Sequence, residues 1–341
     1  MSGGVDSAAA AILMQDAGYE CIGATMKLIA GGGSKCCSLQ DINDARAAAW
    51  KLNIPHYVLN CVRPFTRHVI EPFIESYEKG DTPNPCIECN RYLKFSLMIR
   101  KALELEAEKL VTGHYARTEK CGERWLLKKG ADHHKDQSYV LYMMSQEALS
   151  RTVFPLGKMT KKETRELAAA RGISSANKEE SQDICFVDNG DYADFIENYT
   201  GKSFPEGDIT DAEGNILGRH RGLLRYTLGQ RRGTGVACNH PVYVTAKNIT
   251  GNTLVVGEES SLYSKSLTAG KINIIACEDL FQSRRLTVKT RYLQKEQWAV
   301  VEQTEEDKVR IEFEEHQKAI TPGQAAVFYD GDTVVGGGTI E

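Results

Sequence analysis

The stretch Ser2-Gly3-Gly4-Val5-Asp6-Ser7 constrains the fold more than any other, because it runs straight into an apolar, alanine-rich segment over residues 8–14. Neighbouring glycines let backbone N–H groups close around an anion, and hydroxyls stand beside them. A helix starting at once would turn the positive end of its dipole onto the same spot. No Gly-Lys-Ser/Thr follows, so the loop is not of the usual P-loop type. The alternative, a flexible glycine-rich tail, conflicts with the helical spacing of Ala8, Ile12 and Leu13.

Downstream, strand and helix signals alternate. Strands are expected over 21–28, 56–60 and 109–112, and helices over 39–52, 65–79 and 91–105, with Gly18 closing the first helix and a turn-rich break over 80–85. Such alternation predicts an α/β domain with a parallel sheet covered on both faces, and ligands collect at the carboxyl ends of its strands. A hairpin around Cys121-Gly122 is expected over 116–130, then helices over 138–149, 161–171 and 191–199. Beyond Gly201 short β runs over 242–246, 254–256, 286–290 and 309–313 are separated by Gly, Asn and Asp turns, the texture of one or two small β barrels.

A chain of 341 residues suggests two or three domains, expected over 1–203, 204–268 and 269–341. The net charge of −4 argues against a protein that coats nucleic acid indiscriminately, so a nucleic-acid partner would be held by local basic patches. The densest runs from Arg219 through Arg225 to Arg232, interrupted by glycines, and reads as phosphate contact. The apolar runs are too short to span a bilayer, and no basic region precedes an apolar stretch at the N-terminus; cytoplasm is the default location. Without an export signal, ten cysteines imply thiols that are free, catalytic or metal-bound rather than a disulfide scaffold.

Cys86 and Cys89 stand in Asn84-Pro85-Cys86-Ile87-Glu88-Cys89, on a proline-stiffened loop ahead of a helix, where a thiolate is stabilised. The spacing fits a redox pair, half a metal site or two inert thiols. Cys185, before Phe186, reads by itself as a small buried residue opening a strand. His114 follows a strand and is either a site residue or a packed histidine. Lys135-Asp136-Gln137-Ser138 reads as a helix start capped by Asp136. Cys21, Cys36, Cys37, Cys61, Cys121, Cys238 and Cys277 have no such context and are taken as structural.

Taken together, SGGVDS at 2–7, TPNPCIECN at 82–90, TGHYA at 112–116, KDQSYVLY at 135–142, ESQDICFV at 180–187, YTLGQRRGTGV at 226–236, Arg291-Tyr292 and AITPGQAAVFYDGD at 319–332 resemble the tRNA-specific 2-thiouridylases, the MnmA/TrmU family. The resemblance covers nearly the whole chain. It implies an ATP pyrophosphatase that adenylates the C2 oxygen of a wobble uridine and then replaces it with sulfur from a cysteine persulfide. By the same resemblance Ser2, Gly3, Gly4, Val5, Asp6, Ser7, Ala8, Ala9, Met26 and Gly113 bind ATP with Mg2+. Cys185 carries the persulfide, and Cys89 is the nucleophile that releases the sulfur as a disulfide forms. Asn84, Pro85 and Cys86 face the base, while His114, Lys135, Asp136, Gln137, Arg291, Tyr292 and Gln324 contact the tRNA. A sulfur-donor protein, a cysteine desulfurase or sulfur carrier, is the implied partner, and a monomer is expected in the free state.

Two departures from the family pattern carry consequences. Cys86 stands where many members have aspartate, so Cys86, Cys89 and Cys185 form a three-thiolate set that could hold an iron–sulfur cluster, against a metal-free persulfide route. Members also carry a strand ahead of the loop, whereas this sequence starts at Met1-Ser2, which predicts a sheet short of that strand. The competing functions are an ATP pyrophosphatase acting on a small molecule and a non-catalytic tRNA-binding protein.

Overall fold

The computed structural model describes residues 1–30, 39–173, 184–187 and 191–341. Cys36, Cys37, the glycine-rich stretch 31–34 and residues 180–183 of the Cys185 motif lie outside the described residues.

The first helix, Val5–Asp16, begins directly at the loop, with Gly4 as its N-cap and Ala8, Ala9 and Ile12 buried. Gly18, at φ +87°, stops the chain two residues past its end. Strands β1 (Gly23–Lys27) and β2 (His56–Asn60) pair in parallel, as do the short β3 (Leu110–Val111) and β6 (Thr152–Val153). The parallel pairing expected from the alternation is present, in two pairs rather than one continuous sheet. Met1 lies along β1: its amino group donates to the Ala24 carbonyl, and its own carbonyl accepts from Thr25 Oγ1 at 2.6 Å.

Two helices between these strands run longer than their spacing suggests. The first covers 62–78 and is wound as a π-helix over Thr66–Ile70; the second covers 85–104 and is π over Cys89–Leu97. Such wide turns are rare and cluster at functional sites. His68 and Tyr92 stack across the two wide segments, ring centres 4.6 Å apart. The single helix expected over 138–149 is instead a tight 3₁₀ turn, Ser138–Leu141, and a separate helix, Gln146–Arg151, capped by the Ser145 hydroxyl.

The hairpin around Gly122 forms from β4 (Ala116–Cys121) and β5 (Arg124–Lys129). A small four-stranded sheet follows, in the order β8 (Ile216–His220), β7 (Gly207–Thr210), β10 (Thr253–Gly257), β9 (Tyr243–Asn248). The last part of the chain supplies β11 (Tyr263–Ile274), β12 (Arg284–Lys289), β13 (Gln297–Glu305), β14 (Lys308–Lys318), β15 (Ala325–Asp330) and β16 (Thr333–Ile340). They pair in the order β11-β14-β13-β12-β15-β16, and β11 meets β16 to close a barrel around Leu286, Val301, Ile311 and Phe328. Closure removes the free edges that would otherwise invite pairing with another chain.

The hairpin does not stay with the α/β domain. β5 pairs with β16 through Val334 and Leu127, so the barrel wall continues into the N-terminal half. One core then serves both, with Phe95, Tyr139, Leu141 and Met144 packed against Ala325, Val327 and Tyr329.

Candidate active site

The phosphate loop has the form its residues require. Gly3 sits at φ +76°, and a Cβ there would lie 2.4 Å from the Asp41 carbonyl, so only glycine fits. Ser7 Oγ donates to the Gly4 carbonyl at 3.0 Å and accepts from the Ser2 amide at 3.1 Å. The helix N-cap has no side-chain partner, which leaves first-turn N–H groups turned toward the loop. The Asp6 carboxylate meets the Lys161 ammonium at 2.7 and 2.8 Å and the Tyr115 hydroxyl at 2.9 Å. Gly113 packs on the same carboxylate residue: a Cβ there would stand 2.7 Å from the Asp6 backbone carbon. Thus the 112–116 segment closes one side of the loop. Met26, on β1, packs against the cluster that contains Cys89 and Cys185.

The thiol loop is built by its own sequence. Asn84 caps the helix beginning at Pro85, its side chain accepting from the Cys86 amide at 3.1 Å, and proline at the first helical position has no donor to waste. Cys86 is exposed and Cys89 is buried. The protein around the Cys86 thiol raises its pKa by burial, and the Lys94 ammonium pulls it down. Cys185 is half-buried, in a turn closed by the Val187 amide bonding the Ile184 carbonyl at 3.1 Å. Phe186 anchors that turn among Phe65, Phe73 and Phe195, with ring centres 5.6, 5.1 and 5.2 Å away. The strand read from sequence at Cys185 is therefore a turn, and its anchored neighbour leaves the thiol half-open.

Cys89 belongs to a buried hydrophobic cluster against which half-buried Cys185 packs, whereas Cys86 is exposed. Among the described residues no three His, Cys, Asp or Glu side chains converge to hold a metal ion. Cys86, Cys89 and Cys185 therefore do not converge as the three ligands of an iron–sulfur cluster.

The segment 135–142 ties the pieces together. Gln137 and Tyr115 exchange two bonds, each 2.9 Å, one from the Gln137 amide to the Tyr115 carbonyl and one from the Tyr115 amide to Gln137 Oε1. Asn90 Nδ2 donates to the Val140 carbonyl at 2.8 Å, and the Tyr139 hydroxyl donates to the Ala325 carbonyl at 2.8 Å. Asp136 accepts from the Ser138 amide and hydroxyl and from the Gly130 amide, so it shapes this loop rather than capping a long helix. Lys135 is half-buried beside it.

The barrel reaches the thiol loop from the other side. Arg291 donates to the Ala319 carbonyl and the Thr321 hydroxyl, both at 2.8 Å, and so holds the segment that carries Gln324. Tyr292 packs edge-on against Tyr139, ring centres 5.9 Å apart. His114 is buried at 9% exposure, with burial first and the Lys94 charge second pushing its pKa well below the usual imidazole value.

The basic stretch divides in two. Arg225 is committed internally to Asp194 at 2.7 Å, Glu197 at 2.9 Å and Asp191 at 3.4 Å. Arg221, Arg231 and Arg232 remain exposed and available to a polyanion. Sequence reasoning missed Lys161 and Lys94. Nothing in the spacing links residue 161 to residue 6, although the capping box Thr160–Glu163 marked Lys161 as the start of a helix.

Fold and site define a class: a nucleotide-binding α/β domain whose phosphate loop and paired cysteines are set against two β modules. Three domain families match the chain: "tRNA methyl transferase HUP domain" over residues 1–189, "tRNA methyl transferase PRC-barrel domain" over 193–258 and "Aminomethyltransferase beta-barrel domain" over 264–340. The chain is 47% identical over its whole length to the tRNA-specific 2-thiouridylase MnmA of Acetivibrio thermocellus, covering 98% of that protein. It is 46% identical to the MnmA of Symbiobacterium thermophilum, again over all of this chain and 90% of that one. The MnmA of Moorella thermoacetica matches at 47%, over the whole chain and 98% of the relative. The chain belongs to the family of tRNA-specific 2-thiouridylases. Among the described residues no helix is long and apolar enough to cross a membrane.

Proposed function

We propose that the chain catalyses ATP-dependent 2-thiolation of a wobble uridine in tRNA. Residues 1–203 act as the catalytic unit, and 204–268 and 269–341 as tRNA-holding units, in the cytoplasm. The observation that carries the reading is that one hydrophobic cluster holds Cys89 and has half-open Cys185 packed against it, with Asn90 and Gln137 tying the neighbouring segments to the one that closes the phosphate loop.

In this reading residues 2–9 and Gly113 bind the ATP phosphates, with Met26 towards the adenine and Asp6 as the carboxylate suited to Mg2+. The uridine O2 attacks the α-phosphorus, and pyrophosphate leaves with the bridging electron pair. The terminal sulfur of a Cys185 persulfide then attacks C2, and AMP leaves with the C–O pair. Finally the Cys89 thiolate attacks the Cys185 Sγ, so the S–S bond breaks toward the substrate. The base keeps the sulfur, and a Cys89–Cys185 disulfide remains. Asn84, Pro85 and Cys86 face the base, while Lys135, Asp136, Gln137, Arg291, Tyr292 and Gln324 hold the tRNA; His114, which the resemblance also assigns to the tRNA, is buried with both ring nitrogens engaged and supports the site from behind. The base must be flipped from the anticodon loop to reach them. Sulfur arrives from a desulfurase or carrier protein, and the free chain is monomeric.

Pyrophosphate release tests the reading. With ATP and Mg2+, release should rise at least tenfold when unmodified tRNA is added. Release indifferent to tRNA would point to a small-molecule substrate, and no ATP binding at all to a non-catalytic tRNA binder.

A further inference from the structure

We propose that Lys94 is a further functional residue of this site: its ammonium, aimed by His114, stabilises the negative charge that gathers on the pyrimidine ring when sulfur adds to C2. The inference rests on the thiouridylase reading above.

Lys94 lies on the π-wound turn that begins at Cys89, and its Nζ stands 3.4 Å from His114 Nε2. An ammonium has hydrogens only to give, so Nε2 must be the accepting nitrogen. The ring hydrogen is then on Nδ1, which donates to Thr112 Oγ1 at 2.8 Å. Phe95 and Phe154 enclose the imidazole, with ring centres 5.7 and 6.0 Å away. A neutral, enclosed imidazole with both nitrogens engaged has neither a charge nor a proton to offer a substrate. What it does offer is a fixed anchor for Lys94, which makes His114 a positioning residue.

The direction in which Lys94 is held matters. It stands on the same continuous helix as Cys86 and Cys89, and its anchor His114 directly follows Gly113, which packs on Asp6 of the phosphate loop. Its charge acts in the same place, pulling the Cys86 thiol pKa down against burial. Lys94 itself is half-buried, so this cation stands in a partly desolvated wall, where it acts more strongly than in bulk water. When the persulfide sulfur forms its bond to C2, the C2=N3 pair of the adenylated ring withdraws onto N3. That pair returns as the C2–O bond breaks and AMP departs with the bonding electrons. Between these two events the ring carries a full negative charge, which an adjacent fixed ammonium lowers in energy. The O2-adenylated ring is itself neutral, because the N3 proton leaves to water as O2 bonds to phosphorus and C2=N3 forms; no full negative charge gathers on the ring in that step, so the two half-reactions should respond differently to loss of Lys94.

The test uses single-turnover assays on the full chain with persulfide-loaded enzyme, ATP and unmodified tRNA. Removing one preorganised donor from such a site typically costs about 10²–10³ in rate. Lys94→Met should lower 2-thiouridine formation about 100-fold, leave tRNA affinity and melting temperature near wild type, and change tRNA-dependent pyrophosphate release less than fivefold. Lys94→Arg should recover a tenth or more of the lost rate. His114→Leu should lower thiolation about tenfold, and the Lys94→Met/His114→Leu pair should be no worse than Lys94→Met alone, because both act through one ammonium. Thiolation by Lys94→Met within threefold of wild type, or losses that multiply in the double variant, would overturn the proposal. A wild-type protein that makes no 2-thiouridine would instead sink the underlying reading.

Discussion

Gln324, in the loop between β14 and β15 of the barrel, donates from its Nε2 to the Thr82 carbonyl of the α/β domain at 2.7 Å. The Thr82 amide bonds the Pro322 carbonyl at 2.9 Å, and Gly323, at φ +87°, brings the two backbones within reach. The barrel therefore grips the thiol loop two residues before Asn84. Gln324→Ala should cost about 1 kcal/mol of stability by urea unfolding, the usual worth of one part-buried bond. It should lower thiolation further than that loss of folded protein explains. An unchanged rate at equal folded concentration would mean that the grip is structural only.

Gly113→Ala places a methyl 2.7 Å from the Asp6 backbone carbon, where backbone must give way. Overpacking of this kind costs about 1–3 kcal/mol. ATP affinity by calorimetry should fall at least tenfold, with tRNA affinity little changed.

Lys161→Met leaves the Asp6 carboxylate without its ammonium. Lys161 is well enclosed, but the Asp6 side chain is 34% exposed, so water screens part of the loss. A destabilisation of about 2 kcal/mol is expected. Because the methionine strands an anion, the Asp6→Asn/Lys161→Met pair should be less destabilised than Lys161→Met alone, which denaturant curves will decide.

Lys247 carries the clearest pH signature. Among the described residues its enclosed Nζ has no hydrogen-bond partner, and burial lowers its pKa from 10.5 to about 8, only partly offset by Asp81. The unfolded chain holds this proton to about 10.5 and the folded chain releases it near 8, so its contribution makes stability rise with pH between those values. Lys247→Met should be more stable than wild type at pH 7, and the gap should close toward pH 10. A gap constant over that range would contradict the assignment.

Much of this architecture is legible in the sequence, because local signals decide it. Gly3-Gly4 before an apolar helix, Asn84-Pro85 ahead of Cys86 and the Gly122 turn each fix their own geometry within a few residues. The misses are long-range. β5 joins β16 through a partner some two hundred positions away, and Lys161 reaches Asp6 across 155 positions. Arg225 reads as a phosphate ligand until the helix Tyr192–Thr200 brings three carboxylates to it. The expected helix over 138–149 breaks because Tyr139 and Leu141 must enter a core shared with the barrel. Local propensity gives way there to tertiary packing.

The central claim is sulfur transfer through Cys185. The most direct measurement is mass spectrometry of nucleosides from unmodified tRNA incubated with the protein, ATP, Mg2+ and a persulfide donor. The account predicts 2-thiouridine with the wild-type chain, and none above background with Cys185→Ser at unchanged tRNA affinity. Thiolation by Cys185→Ser at the wild-type rate would contradict it.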